Sequence, residues 1–353
     1  MLFLIFCLFR VLPTKPRSQT RIIGLENREI EFENAFTGYK HHGHSCNVSS
    51  LDLHAPSTSI CPDRSSLLTA MSSGGRIGKD APYMPRDCDM QWFITAQVCE
   101  ILGHYSQVIL VGDSMMRHVL GAMNIFIRED LGYGVVDDWN FDEEERTNCF
   151  CNNQFDVKSC FGQGINCTGD VLINDSNSLV CPKIIPGWQT DVRIEQMNKQ
   201  PIAHDELTCL IRAINTTPRR RQAFVLGHGL WSDLDVQKSV RWLDLVKDTI
   251  DSMTHMWMNH KGNGDTSNLP VLFVTPNAAG EEKPDEYILT QENEALVRFE
   301  HKMADQAAER YMDHLGTWNM SIQASFYDGV HMDMRGNLLK AMMILNWLNV
   351  LDD

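Results

Sequence analysis

Two short stretches, far apart in the chain, carry residue types suited to acyl-transfer chemistry. Gly112-Asp113-Ser114 places a hydroxyl directly after the apolar run Gln107-Val108-Ile109-Leu110-Val111. A serine is a weak nucleophile until a base takes its proton, and an imidazole oriented by a carboxylate is the usual means. Asp328-Gly329-Val330-His331 supplies both groups three residues apart, just before a helical pattern, so one short loop could carry them to one rim. The tripeptide alone is a weak signal, because a serine there is commonly a helix N-cap. The pair is stronger, since it meets two separate demands of one mechanism. The expected roles are Ser114 as nucleophile, His331 as general base, and Asp328 as the group that fixes the tautomer of His331.

These residues need elements to hold them. The run 107–111 suits a strand buried on both faces, and after Ser114 the residues Met116, Val119, Leu120, Met123 and Ile127 recur at helical spacing. That reads as strand, tight turn and helix, with the free N–H groups of the helix start facing whatever Ser114 attacks. Val135-Val136 is a possible start of a second strand. Ala223-Phe224-Val225-Leu226 and Val271-Leu272-Phe273-Val274 are clearer ones. A helix with Val240, Leu243, Val246, Ile250 and Met253 on one side separates those two, and a long helical pattern through Leu296, Phe299, Met303 and Tyr311 follows the second. The chain closes on a helix with Leu338, Met342, Leu345 and Leu348 on its buried side. Such alternation predicts an α/β fold, a doubly wound parallel sheet whose sites lie beyond the carboxyl ends of its strands. Ser114 and Gly229 both fall at such ends.

Length and composition set the outer limits. With 353 residues and 43% hydrophobic content the chain can fill a sizeable core. A formal charge of -15 speaks against nucleic acid as a partner, because that binding rests on clustered Lys and Arg. Met1 to Phe9 is an apolar run shorter than the roughly 20 residues of a membrane helix, so residues 1–12 read as a signal or a truncated anchor, with a disordered tail as the bland reading. Asn-X-Ser/Thr acceptors stand at Asn47, Asn166, Asn174, Asn215 and Asn319. Setting Cys7 aside, Cys46, Cys61, Cys88, Cys99, Cys149, Cys151, Cys160, Cys167, Cys181 and Cys209 form an even set suited to bridges in an oxidising compartment. Together these features place the chain on the secretory route, in the Golgi lumen or outside the cell. Residues 13–86, rich in Ser, Gly, Pro and His, read as an irregular arm that adds little core; residues 87–353 read as the main domain, with a Cys-rich insert at about 138–209.

The motifs resemble a known family. Gly112-Asp113-Ser114-Met115-Met116-Arg117 is similar to the Gly-Asp-Ser-X-X-Arg signature of PC-esterases, a branch of the SGNH (GDSL) superfamily, and Asp328-Gly329-Val330-His331 resembles its C-terminal motif. Ala81-Pro82-Tyr83-Met84-Pro85-Arg86-Asp87-Cys88 with Trp92 is similar to the segment that precedes the serine in that branch. The branch includes plant trichome birefringence-like polysaccharide O-acetyltransferases and sialic-acid O-acetyltransferases. The resemblance implies an SGNH, flavodoxin-like three-layer α/β/α fold; together with the glycosylation acceptors and the apolar leader it favours a carbohydrate or glycan ester as substrate, and no cofactor or metal is expected. It extends from about Pro82 to the C-terminus.

One departure stands out. SGNH enzymes complete the oxyanion hole with a Gly and an Asn from later blocks, whereas the third strand here ends Gly227-His228-Gly229-Leu230-Trp231, with no Asn in the expected place. Candidate donors are the N–H groups of Ser114 and Gly229 and the side chain of His228, which is equally a structural histidine at a strand end. Arg117, one helical turn after Ser114, is a candidate for an acyl or sugar oxygen or for a salt bridge. Other groupings read as loop or core: His41-His42-Gly43-His44 with Cys46, Cys149-Phe150-Cys151, Arg219-Arg220-Arg221, and the tryptophans Trp188, Trp231 and Trp242, for which sugar stacking is the sharper alternative. The expected activity is a serine esterase or O-acetyltransferase. The alternative is an inactive SGNH-fold carbohydrate-binding or structural secretory protein, and membrane anchoring through the short N-terminal segment stays open.

Overall fold

The computed structural model describes residues 59–128, 190–215, 220–261, 269–326 and 328–351. Five strands form one sheet: β1 (Tyr105–Gly112), β2 (Asp191–Gln196), β3 (Arg221–Gly227), β4 (Val271–Val274) and β5 (Asp313–Leu315). Their spatial order is β2-β1-β3-β4-β5 and every pairing is parallel. This is the flavodoxin-type order, in which the chain reverses direction across the sheet at β1, so a crevice opens beyond its carboxyl end. The expected α/β fold with a central parallel sheet is what the chain adopts.

The helices are α1 (Arg64–Ser73), α2 (Thr95–Gly103), α3 (Ser114–Arg128), α4 (His204–Ala213), α5 (Val236–Lys261), α6 (Asp285–Ile288), α7 (Asn293–Glu309), α8 (Trp318–Ser321) and α9 (Met334–Asn349). Successive residues of a strand face opposite sides, and here both sides are covered. Val108, Leu110, Val225 and Leu272 pack with α1, α2, α3 and α9. Ile109, Val111, Phe224 and Phe273 pack with α4, α5 and α7. That is why β1, β3 and β4 read as continuous apolar runs. Each fully buried Val, Leu or Ile there contributes roughly 1.5–3 kcal/mol, so the central strands hold the site rigidly. Residues Ala341 to Leu348 of α9 are all buried, because the helix is enclosed by α3, α2, α1 and the sheet.

Several elements differ from the sequence reading. Residues 59–86 are no loose arm: Asp63 caps α1 by accepting from Ser66 N at 2.8 Å, and Leu67, Leu68, Ala70, Met71 and Tyr83 enter the core. A bond between Cys61 and Cys88 ties this segment down, and Cys99 is also disulfide-bonded. Cys209 is a free, exposed thiol, so the even set does not pair completely. The span assigned to an insert holds β2 and the start of α4, both integral to the fold; Val135-Val136 and residues 138–189 of that span lie outside the described residues, as do residues 1–58. Helix α7 stops at Glu309, and Tyr311 is 83% exposed with a positive φ of 56°. No helix among the described residues is long and apolar enough to cross a membrane.

Candidate active site

The nucleophile turn is set by close backbone approach. A Cβ on Gly112 would lie 2.3 Å from the carbonyl oxygen of Gly227, so only glycine lets β1 and β3 end side by side. The Gly112 carbonyl accepts from Met197 N at 2.9 Å, which anchors the same turn to the segment after β2. Ser114 then opens α3, and Asp113 Oδ1 accepts from Met115 N at 3.0 Å. Burial pushes the Asp113 carboxyl above its ordinary range, against the pull of that N–H, of Lys340 and of His331.

The acid–base pair sits on a loop closed at its neck by an antiparallel bridge between Phe326 and Met332. Gly329 turns the loop with φ 74°, and a Cβ there would stand 2.0 Å from Lys283 N. Its carbonyl accepts from Gly280 N at 2.9 Å, clamping the loop to the segment after β4. Beyond the loop, Asp333 caps α9 by accepting from Gly336 N at 2.8 Å.

Within this frame the three expected residues meet. His331 Nε2 lies 2.7 Å from Ser114 Oγ, and His331 Nδ1 lies 2.8 Å from Asp328 Oδ2. The other Asp328 oxygen accepts from Val330 N at 2.9 Å and His331 N at 2.8 Å. Burial opposes ionisation of Asp328, but the hydrogen bond and charge of His331 and the two backbone N–H groups outweigh it and hold the carboxyl well below the usual carboxylate range. With Asp328 accepting at Nδ1, the free lone pair of His331 faces the serine hydroxyl, the arrangement that base catalysis needs.

Sequence reasoning missed His118. It stands one helical turn after Ser114 on α3, its ring centroid 5.1 Å from that of His331. Burial, and next the nearby His331, push it down to about 3, so a neutral ring flanks the base. The i, i+4 spacing of Ser114 and His118 was the available signal.

The candidate oxyanion residues separate. The side chain of His228 is engaged elsewhere: Nδ1 bonds Ser239 Oγ at 3.0 Å, Nε2 bonds Ser232 Oγ at 3.3 Å, and the ring stacks on Trp242 at 4.6 Å. It is therefore a structural histidine, pushed down to about 4 by burial, and the expectation of a donor there is corrected. Gly229 lies beyond β3, and a Cβ on it would meet Phe299 at 2.8 Å and Pro276 at 2.9 Å. That crowding, with a φ of 152°, restricts the position to glycine. Among the described residues the N–H groups of Ser114 and Gly229 meet no protein acceptor. The Arg117 guanidinium is buried and faces Gln196 at the end of β2, with Nη1 3.2 Å and Nε 3.3 Å from the amide oxygen in the orientation that satisfies both groups.

Of the tryptophans, Trp242 is core, whereas Trp231 is 50% exposed with Lys199 Nζ 5.6 Å from its ring centroid; Trp188 lies outside the described residues. Among the acceptor asparagines, Asn215 is exposed, but the Asn319 amide nitrogen donates to Ser72 O at 2.8 Å, so the folded chain does not offer it to a glycan. Asn47, Asn166, Asn174, the His41–His44 cluster and Cys149-Phe150-Cys151 lie outside the described residues. Within those residues no group of three or more His, Cys, Asp and Glu side chains forms a metal-binding array.

No protein-family model matches the chain, and no curated protein matches it. Among solved structures it is similar to a member of the lipolytic G-D-S-L family from Veillonella parvula, at 11% identity over 68% of this chain and 96% of that one, with a TM-score of 0.34. It is similar to a carbohydrate acetylesterase from Sinorhizobium meliloti, at 11% identity over 69% and 99% of the two chains, with a TM-score of 0.35. The native aryl esterase of M. smegmatis gives 10% identity, 68% and 96% coverage, and a TM-score of 0.34. At these values no residue role, reaction or substrate carries over from these proteins to the chain.

Proposed function

We propose that this protein is a serine-dependent acyl-transfer enzyme, an esterase or O-acetyltransferase that acts on acetyl esters of carbohydrate. The observation that carries the reading is the continuous hydrogen-bonded chain from Ser114 Oγ through His331 to Asp328, at 2.7 Å and 2.8 Å. Ser114 gives its proton to His331 Nε2 as Oγ attacks the ester carbonyl. In this reading the oxygen that becomes negative accepts from the N–H groups of Ser114 and Gly229. His331 then passes the proton to the departing alkoxide, which leaves an acyl group on Ser114. In the second half His331 takes a proton from water or from a sugar hydroxyl, that oxygen attacks the acyl carbon, and the bond from the acyl carbon to Ser114 Oγ breaks as His331 returns the proton to Oγ. The acceptor decides between esterase and transferase.

The choice of an acetylated carbohydrate rests on the resemblance of the motifs at 112–117 and 328–331 to the PC-esterase branch. The bond between Cys61 and Cys88 fits the secretory setting that goes with such substrates. A bonded Ser–His–Asp chain speaks against the alternative of an inactive binding protein. The test incubates purified protein with an acetylated glycan, with and without an unacetylated acceptor, and follows free acetate and acetylated acceptor. Release or transfer abolished by Ser114→Ala supports the reading; turnover that persists in that variant, or acetyl esters left intact by folded wild type, contradicts it.

A further inference from the structure

The acyl-transfer steps above leave His118 without a task, although it is buried against the base. It lies one turn after Ser114 on α3, roughly 6 Å further along the axis, so the nucleophile and this second histidine belong to one rigid body. Its neighbours on that helix, Met116, Val119 and Leu120, are sealed in the core. From this fixed place the His118 ring meets the His331 ring at a centroid distance of 5.1 Å and a tilt of 40°. Aromatic side chains pack at such separations.

The nitrogens of His331 are committed, Nδ1 to Asp328 at 2.8 Å and Nε2 to Ser114 Oγ at 2.7 Å. These two bonds fix the nitrogens but leave the ring able to turn about the line that joins them. One of them is also lost within the cycle. Once Oγ carries the acyl group it has no proton to share with Nε2, and of the two bonds only that to Asp328 remains. A wall against the ring then keeps Nε2 aimed at the reacting oxygen. The surroundings hold that wall neutral. Burial is the first cause, His331, Arg117 on the same helix and Lys340 on α9 add to it, and Asp328 acts the other way. Lys340 Nζ is turned to Asn277 Oδ1, 3.0 Å away. A neutral ring can lie beside the base while the base becomes an imidazolium, whereas a second cation there would oppose that charge.

We propose that His118 is a positioning residue for the base: its neutral ring, carried on the helix that begins at Ser114, holds the His331 ring in the orientation from which Nε2 reaches the serine, the leaving oxygen and the attacking oxygen in turn. The inference rests on the acyl-transfer reading above and adds no bond-making step to it. The protons move as already written, and His118 neither gives nor takes one.

The experiment compares wild type, His118→Leu, His118→Gln and His118→Phe by p-nitrophenyl acetate hydrolysis, by fluorophosphonate labelling and by Tm. Rates are expressed per labelled site, so that unfolded protein does not count. Leucine fills space without a ring, glutamine keeps hydrogen-bonding atoms without a ring, and phenylalanine keeps a ring without those atoms. A positioning role predicts that kcat per site falls roughly tenfold or more in His118→Leu and His118→Gln with KM nearly unchanged, while His118→Phe stays within about threefold of wild type. A purely structural role predicts a lower Tm with wild-type rates per labelled site in His118→Leu and His118→Gln, and that result overturns the proposal. His118→Phe losing as much as His118→Leu overturns it too, because a ring would then not suffice. If neither His118→Leu nor His118→Gln folds, His118→Phe decides: a loss of about tenfold or more overturns the proposal, and a rate within about threefold of wild type supports it. Wild type that is not labelled at Ser114 overturns the underlying acyl-transfer reading, and this inference with it; labelled wild type beside variants of unchanged rate overturns this inference alone.

Discussion

Replacing Asp328 by asparagine isolates what the carboxylate does. Among the described residues the side chain accepts from Val330 N at 2.9 Å, His331 N at 2.8 Å and His331 Nδ1 at 2.8 Å. In Asp328→Asn the amide oxygen keeps the two backbone donors, so the loop and the fold persist. The amide nitrogen then faces Nδ1, which must accept instead of donate. The proton moves to Nε2, 2.7 Å from Ser114 Oγ, and the ring can no longer take the serine proton. Reaching the reactive tautomer places two donors face to face and removes the negative charge that stabilises the imidazolium. For a triad carboxylate the combined loss is about 10⁴-fold in kcat, or about 5.5 kcal/mol in the barrier. The assay is kcat on p-nitrophenyl acetate beside a thermal melt. A melt within a few degrees of wild type with a loss smaller than about 30-fold would show that His331 does not depend on Asp328 for its orientation, and the mechanism as written would be refuted.

Gly329→Ala should lower activity strongly, because the new Cβ would lie 2.0 Å from Lys283 N and the loop must move with Asp328 and His331 on it; wild-type kcat in this variant would contradict the clamp. Stability should fall with acid. Burial lowers His118 to about 3, His228 to about 4 and His314 to about 4, from an ordinary 6.5, so each is neutral when folded and takes up a proton on unfolding below pH about 6.5. Their contribution is complete above that pH and is lost as pH falls towards about 4, with a slope of up to about 1.4 kcal/mol per pH unit for each histidine. A Tm that stays flat from pH 7 to pH 4.5 would contradict these assignments.

The parts of the fold that could be read from the sequence are those where burial on both faces leaves an uninterrupted apolar run. β1, β3 and β4 are such strands, and Gly112-Asp113-Ser114 was found because it follows one. β2, with the residues Asp191-Val192-Arg193-Ile194-Glu195-Gln196, lies at the sheet edge and alternates polar with apolar, so it merged with the Cys-rich span before it. β5 is only three residues long, too short for any period to register. α1 hid in a stretch dominated by Ser, Gly and Pro because its apolar residues, Leu67, Leu68, Ala70 and Met71, fill little more than one turn. In the site, the Asp-X-X-His spacing was legible because a single loop holds both groups. The engagement of His228 with Ser232 and Ser239, the approach of His118 to His331 and the bond from Lys340 to Asn277 are tertiary contacts. Nothing in a local window marks the last of these, which joins residues 63 positions apart.

The account stands or falls on whether Ser114 is an activated nucleophile. The most direct measurement is covalent labelling of the purified protein by a fluorophosphonate, with the modified residue located by peptide mass spectrometry. A serine hydroxyl bonded to His331 Nε2 at 2.7 Å should be labelled in wild type, not at all in Ser114→Ala, and far more slowly in His331→Ala. Folded wild-type protein that remains unlabelled, or a label located on another residue, would contradict it.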